Sequence, residues 1–170
     1  QLRRVVPRDR ERESVRMTNV AILVKEFPPD VIGGTETQSM RMASELQQRT
    51  DHEVSVYTKS YPGEEPHAPE FDLVRVPNWH VNDFVSTLTF LLVAFLYLLR
   101  NRSQIDVLHC MMIYPMGFLG YLVHLVTGIP YFAWIRGGDY YFMKDNRVKR
   151  WMIDRVLRDT LVLVQTETVR

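Results

Sequence analysis

The sequence predicts an α/β protein with a doubly wound, mainly parallel, Rossmann-like sheet of about six strands. Short apolar runs alternate with longer segments whose apolar residues recur at helical spacing, and this alternation is typical of parallel sheets covered by helices. Glycine and proline residues separate the two kinds of segment. The predicted strands are residues 20–24, 54–57, 71–76, 105–110, 131–135 and 160–164.

Composition limits the class of protein. The chain has 170 residues, of which 46% are hydrophobic and 24% charged, as in a single globular domain. The formal net charge of +1 gives no electrostatic argument for a nucleic-acid partner. The single cysteine, Cys110, excludes an internal disulfide and is compatible with a reducing, cytoplasmic location. No cluster of cysteine and histidine residues has the spacing of zinc ligands.

Residues 1–16 form a separate, arginine-rich segment. They contain six arginines and three acidic residues but almost no apolar periodicity. We interpret them as a disordered arm or as sequence upstream of a start at Met17, since an amphipathic membrane anchor would need more leucine or aromatic residues. The folded domain is therefore expected to span residues 17–170.

The first strand leads into a glycine loop and a helix. Two prolines interrupt regular structure after residues 20–24, and Gly33 and Gly34 follow. Thr35 and Gln38 have the spacing of a capping box, which predicts a helix N-terminus there. Unpaired amides at a helix N-terminus, next to glycines that let a ligand approach, favour binding of a phosphate or diphosphate. The alternative is that the two glycines only turn the chain into the helix.

Residues 84–99 form a strongly apolar predicted helix. No charged residue lies between Asp83 and Arg100. A membrane span needs about 20 apolar residues, so we interpret this shorter segment as a core helix packed on the sheet. A helix that docks onto a bilayer surface is the alternative.

Two further helices are predicted in the second half of the chain. One runs from Tyr114 to about Val126, has a broad apolar face, and is followed by Gly128 and Pro130, which are typical of a helix end. The other, residues 147–158, mixes apolar positions with lysine and arginine. We interpret its basic face as solvated rather than as a surface for anionic lipid or an acidic acceptor.

Polar residues follow the fourth and fifth strands, at the edge where α/β sheets bind ligands. His109, near the end of residues 105–110, either lines a cleft or is a satisfied core residue. Arg136 and Asp139 lie in an Arg-Gly-Gly-Asp loop directly after residues 131–135. A guanidinium on such a loop suits phosphate or carboxylate recognition. Asp139 either accepts hydrogen bonds from sugar hydroxyls or pairs with Arg136 to brace a tight turn.

A nicotinamide-dependent oxidoreductase is disfavoured. That class needs a G-x-G-x-x-G motif after the first strand and an acidic residue about 20 positions further on, which binds the ribose. The first strand is followed by the Gly-Gly pair alone, and the second strand ends Tyr57-Thr58 with no acidic residue at its tip.

Several motifs together resemble one known family. They are Phe-Pro-Pro-x-x-x-Gly-Gly-x-Glu at 27–36, Asp-x-x-His at 106–109, Gly-x-Pro before the fifth strand, Arg-Gly-Gly-Asp at 136–139 and Thr-Glu at 166–167. The pattern covers about residues 18–170 and resembles the N-terminal domain of the family 4-type, GT-B-fold glycosyltransferases. Met111 departs from the pattern, because the family often has a second histidine at this position.

The resemblance implies a retaining glycosyltransferase that transfers a sugar from a nucleoside-diphosphate sugar to a glycan, a lipid-linked molecule or a small molecule, without a metal or other cofactor. It also implies that a C-terminal domain, absent from this chain, holds the nucleotide, so that the fragment alone is inactive. A cytoplasmic protein with peripheral contact to the inner face of the membrane is expected. A non-catalytic binding or regulatory module that kept the fold is the alternative.

The resemblance also assigns residues to the site. Arg136 is expected to stabilise charge and not to act as a base, because a guanidinium stays protonated at neutral pH. The residues expected at the donor diphosphate are Gly33, Gly34 and Arg136, and those expected at the acceptor or sugar are His109, Asp139, Thr166 and Glu167.

Overall fold

The structure is a computed structural model and describes residues 18–28, 33–62, 70–137 and 146–164. Within these residues the strands are β1 (Asn19–Leu23), β2 (Glu53–Lys59), β3 (Asp72–Val76), β4 (Val107–Cys110), β5 (Tyr131–Ile135) and β6 (Leu161–Val164). The α-helices are α1 (Gly34–Arg49), α2 (Asp83–Arg100), α3 (Phe118–Thr127) and α4 (Arg147–Asp159). A 3-10 turn, Arg102–Gln104, precedes β4, and a distorted turn, Ile113–Gly117, leads into α3.

The strands form one parallel sheet in the order β3-β2-β1-β4-β5-β6, which confirms the predicted doubly wound sheet. Predicted strand boundaries differ from the observed ones by no more than two residues. The strand order reverses between β1 and β4. In open α/β sheets, ligands bind at such a switch point, in the crevice outside the carboxyl ends of the strands.

The helices cover the two faces of the sheet unequally. The layer of α2, α3 and α4 packs on one face and buries residues such as Phe90, Leu119 and Ile153. On the other face, α1 packs with Ala43 against a cluster that includes Ile22. β1 is therefore covered on both faces, which explains why its sequence is an unbroken apolar run rather than an alternating one.

α2 is long and apolar enough to cross a membrane by length and composition alone, with a mean hydropathy of 1.7 over 18 residues. It nevertheless packs on the sheet, as predicted for a core helix. Asn82 caps its N-terminus by accepting a hydrogen bond from the amide of Val85 at 2.8 Å. Its buried row consists of Ser86, Phe90, Ala94 and Leu98.

α3 lies very close to β4 and β5 because Gly120 faces them. A Cβ atom at position 120 would lie 2.6 Å from Sγ of Cys110 and 2.9 Å from the ring of Tyr131. α3 ends at Gly128, which has a left-handed backbone with a φ of 75°, as the predicted helix end requires.

The capping box predicted at Thr35 and Gln38 is wrong. α1 begins at Gly34, and its N-cap is Gly33, whose extended backbone has φ −137° and ψ −177° and whose position provides no side-chain cap. Thr35 lies inside the first turn, where its carbonyl accepts a hydrogen bond from Ser39 at 2.7 Å. Glycine is tolerated at an N-cap almost as well as threonine, so the helix begins earlier than the side-chain pattern indicated.

Candidate functional site

Two loops that are far apart in sequence meet at the carboxyl edge of the sheet. One follows β1 and ends at the N-terminus of α1, and the other follows β5 and begins with Arg136 and Gly137. β1, β4 and β5 are neighbours in the sheet, so their carboxyl ends lie side by side. The candidate site therefore lies at the switch point where a ligand is expected.

The first turn of α1 has the properties of an anion-binding helix terminus. Gly33 has no side-chain oxygen to cap the turn, and its carbonyl accepts a hydrogen bond from the amide of Thr37 at 3.0 Å. Gly34 is exposed, and a Cβ atom there would meet nothing within 4 Å. The N-terminus of α1 is thus open at Gly34, whereas the carboxylate of Glu36 lies against Gly33 and complements the positive end of the helix dipole. A phosphate that binds these amides would take the place of that carboxylate.

Arg136 joins the two loops. Its Nη2 donates to Oε1 of Gln38 at 2.6 Å and to the carbonyl oxygen of Gly34 at 3.3 Å. Its guanidinium also lies over the ring of Trp134, 4.9 Å from the ring centroid. The structure therefore brings together, at the first turn of α1, the three residues predicted to bind the donor diphosphate: Gly33, Gly34 and Arg136.

Gly137 lets the chain turn away directly after Arg136. Its φ is 91°, a left-handed conformation that residues with a Cβ rarely adopt. A Cβ atom at this position would meet nothing within 4 Å, so the requirement for glycine is one of backbone conformation and not of space.

His109 lies beneath this contact and not on an open surface. It is only 3% exposed, and its ring stacks on Phe132 with centroids 4.2 Å apart and on Trp134 with centroids 6.1 Å apart. Its Nε2 has no hydrogen-bond partner within the described ranges. Phe132, His109, Trp134 and Arg136 therefore form a continuous stack that leads from the sheet face to the site.

Burial sets the ionisation of the two titratable residues of β4. Burial and, to a smaller extent, the charge of Arg136 together lower the pKa of His109 to about 4. The ring is therefore neutral at physiological pH. Burial raises the pKa of the Cys110 thiol above its usual range, so Cys110 is protonated and is no nucleophile.

Comparison with protein families decides the identity of this fold. The model of the family described as Glycosyltransferase Family 4 matches residues 32–170, which is most of the chain. The chain belongs to glycosyltransferase family 4. The resemblance to the N-terminal domain of such an enzyme is confirmed, and so is the Rossmann-like fold of that domain.

Solved structures similar to this family 4 chain share its fold at low sequence identity. They include Anabaena Alr3699/HepE in complex with UDP and glucose (TM-score 0.56, 10% identity), with 85% of this chain and 37% of that one covered. A UGT transferase from Siraitia grosvenorii in complex with UDP has a TM-score of 0.52, 11% identity and coverage of 88% and 45%. Apo UGT2 from Phytolacca americana has a TM-score of 0.53, 14% identity and coverage of 89% and 46%. The chain thus spans less than half the length of these proteins. A search of curated proteins found no match.

Three of the predicted site residues of the family 4 chain, Asp139, Thr166 and Glu167, lie outside the described residues. Gln38, in contrast, was not assigned to the site by its sequence pattern, which indicated a capping role. It follows Gly34 by four residues and therefore lies on the same side of α1. This spacing is the one sequence signal that could have placed Gln38 beside a ligand bound at the glycine turn, Gly33 and Gly34.

A second polar cluster at the same edge was also missed. Nζ of Lys25 lies 3.1 Å from Oδ1 of Asp83, and Nζ of the buried Lys59 lies 3.6 Å from the same oxygen. Lys59 also donates to the hydroxyl of Thr87 at 3.0 Å. Burial lowers the pKa of Lys59, and the charge of Lys25 lowers it further. The cluster fastens the start of α2 to the ends of β1 and β2.

The described part of this family 4 chain contains no group of three or more histidine, cysteine, aspartate or glutamate side chains that could hold a metal ion. The charged residues at the carboxyl edge include the cations Lys25, Lys59 and Arg136 and the carboxylates Glu26, Glu36 and Asp83. Lys25 and Lys59 are paired with Asp83, so the groups of this edge that suit anion recognition are the guanidinium of Arg136 and the backbone amides of the first turn of α1.

Proposed function

We propose that the chain is the acceptor-side half of a retaining glycosyltransferase that uses a nucleoside-diphosphate sugar. The observation that carries the proposal is the contact between Arg136 and the first turn of α1 at the switch point. Membership of family 4 and structural neighbours whose complexes contain UDP support the same donor class.

Glycosyl transfer breaks the bond between the anomeric carbon of the sugar and the diphosphate, and negative charge develops on the leaving oxygens. Amides of the first turn of α1 and the guanidinium of Arg136 would stabilise that charge. Arg136 acts electrostatically and not as a general base, because it stays protonated. On donor binding, phosphate oxygens would replace Gly34 and Gln38 as its acceptors, since an anionic oxygen accepts from a guanidinium more strongly than a neutral carbonyl oxygen does.

His109 would act indirectly. A neutral ring stacked between Phe132 and Trp134 cannot donate a proton at physiological pH, but it holds the indole on which Arg136 rests. We propose direct contacts with the acceptor or sugar for Asp139, Thr166 and Glu167.

The nucleotide would be held by a second, C-terminal domain, because the chain spans less than half of its structural relatives. We propose that this chain alone is inactive and needs no metal or other cofactor. The acceptor would be a glycan, a lipid-linked molecule or a small molecule. We further propose a cytoplasmic location with peripheral contact to the inner face of the membrane.

The test begins with the coding sequence that follows Arg170. We expect it to encode a second domain with an acidic pair that holds the nucleotide. Protein that contains both domains should transfer sugar from one of UDP-, GDP- or ADP-glucose. Arg136→Ala should lower kcat about 100-fold, and Arg136→Lys should lower it less, because lysine keeps the charge and loses the planar fork.

The matched control is Arg41→Ala, on an exposed position of α1 further from the glycine turn, which should leave kcat unchanged. Full activity of the Arg136→Ala protein would contradict the proposed site. Isothermal titration of the 170-residue chain should show only weak donor binding, and tight binding would contradict the division of labour between domains. Absence of transfer by the longer protein would favour a binding or regulatory module instead.

A further inference from the structure

We propose that the outer faces of α2 and α4 dock on a bilayer that contains anionic phospholipid. This inference gives the peripheral membrane contact proposed above a defined surface, and it does not depend on donor binding. We call this surface the docking face. It lies on the helix layer opposite α1, where α2, α3 and α4 cover the sheet side by side.

The α2 part of the docking face is a row of large apolar side chains. Phe84, Leu88, Leu92 and Leu96 are 75%, 46%, 58% and 61% exposed. They are four residues apart and so form one stripe along about 18 Å of helix. A helix that covers a sheet and faces water typically carries polar residues on its outer side. The outer row of α2 has none. Such a continuous stripe marks an interaction surface.

The loop before α2 widens the apolar surface. Trp79 and Val81 are 70% and 73% exposed. The amide of Trp79 donates to the hydroxyl of Thr89 at 3.0 Å, which holds the loop against the helix. Between loop and helix lies a groove of about 490 Å³, lined by Trp79, Leu88 and Leu92 among others. Tryptophan favours the membrane interface, and the groove admits the end of an acyl chain.

The α4 part supplies positive charge. Val148 and Trp151, 62% and 50% exposed, point outward among arginines, and the guanidinium of Arg155 lies 5.5 Å from the ring of Trp151. α4 contains five basic and two acidic residues, whereas α1, on the opposite layer, contains two of each. Exposed tryptophan surrounded by arginine is typical of helices that lie at a charged bilayer surface.

Charge decides between a bilayer and a second copy of the chain. α3 packs between α2 and α4, and α4 gives the docking face a net positive charge. The docking face of a second copy would carry the same excess of positive charge, so it offers α4 no complementary charge. An anionic leaflet instead has a hydrocarbon interior into which Leu88, Leu92 and Trp79 can insert. Its negative headgroups are complementary to Arg155 and Arg158. The buried row of α2 packs on the sheet, so the helix lies on the bilayer and does not cross it.

Vesicle flotation of the 170-residue chain without nucleotide sugar tests the proposal. The chain should float with vesicles that contain phosphatidylglycerol. The fraction of chain that floats with pure phosphatidylcholine vesicles should be at least about tenfold lower, because headgroup charge contributes to binding. High salt should weaken the association. Failure to bind phosphatidylglycerol vesicles would overturn the proposal, whatever the outcome of the donor titrations.

Two variants locate the surface. Leu88→Glu with Leu92→Glu should reduce binding more than tenfold, whereas Leu161→Glu, 69% exposed on the opposite face of the sheet, should not change it. Arg155→Glu with Arg158→Glu should reduce binding, and Arg41→Glu with Arg49→Glu, the same charge change on α1, should reduce it less.

Circular dichroism checks that each variant is folded, which the exposure of the substituted side chains allows. Light scattering after size exclusion measures the oligomeric state. A stable dimer that the leucine variants break, and that does not bind vesicles, would overturn the proposal and assign the face to a second copy. Equal vesicle binding by the wild type and both leucine substitutions would overturn it as well.

Discussion

Arg136 donates a hydrogen bond from Nη2 to Oε1 of Gln38 at 2.6 Å, although the two residues are 98 positions apart. The contact links the end of β5 to the second turn of α1 and directs the guanidinium at the glycine turn. It also means that the arginine has a neutral acceptor in the unliganded chain. In the proposed function a phosphate oxygen of the donor replaces that acceptor, so Gln38 would compete with the donor for Arg136.

The substitution Gln38→Glu tests this relationship. The new carboxylate should hold Arg136 in a charge-assisted pair and repel a diphosphate, so donor affinity should fall about tenfold, or by about 1.5 kcal/mol. Titration of the proposed two-domain protein with whichever of UDP-, GDP- or ADP-glucose it binds most tightly measures the effect. Gln104→Glu, at the exposed amino edge of the sheet, is the control, and an unchanged affinity in Gln38→Glu would contradict a role for this contact.

Two glycine substitutions separate backbone strain from ligand approach. Gly137→Ala should lower the free energy of unfolding by about 1–2 kcal/mol, because a φ of 91° is unfavourable for alanine. Gly34→Ala should leave stability unchanged or raise it by up to about 1 kcal/mol, since the position is helical and open. Urea denaturation measures both. Equal losses in the two variants would be inconsistent with the distinction.

The buried His109 predicts a loss of stability in acid. Burial lowers its pKa to about 4 in the folded chain, below the ordinary 6.5, so the unfolded chain takes up the proton first as the pH falls. The stabilisation is complete above about pH 6.5 and declines toward pH 4, by up to about 3 kcal/mol. His109→Phe should remove this part of the decline, measured by denaturation at several pH values. His80→Asn, in an exposed loop, should leave the decline unchanged. Parallel curves of unfolding free energy against pH for the wild type and both variants would refute the prediction.

The polar cluster of Lys25, Lys59 and Asp83 predicts that substitutions of Lys59 and Asp83 have coupled effects on stability. Asp83→Asn should destabilise the chain by about 1–2 kcal/mol, because the buried ammonium of Lys59 loses its counter-charge. Adding Lys59→Met should restore part of that loss, because the buried charge at position 59 is then removed while Lys25 still lacks Asp83 as a partner. A double-mutant cycle by urea denaturation measures the coupling, with Asp72→Asn as a control at an exposed carboxylate. Strictly additive effects would show that the pair does not interact.

Much of the fold was predictable because its signals are local. The apolar run of β1 indicated a strand covered on both faces, and Gly128 marked the end of α3 through its left-handed backbone. The lack of charge between Asp83 and Arg100 predicted α2. Each inference uses sterics and periodicity over a few residues, which a single sequence contains in full.

The sequence alone determined the order of strands and helices, the parallel sheet and the two glycine loops at its carboxyl edge. Only the tertiary structure decided that Gln38 binds Arg136 instead of capping α1, that His109 is buried between Phe132 and Trp134, and that Lys59 meets Asp83. These outcomes depend on side chains tens of residues apart that come within reach only when the sheet is assembled. The sequence around each residue does not indicate such contacts, because their energies arise from packing and desolvation in the folded protein.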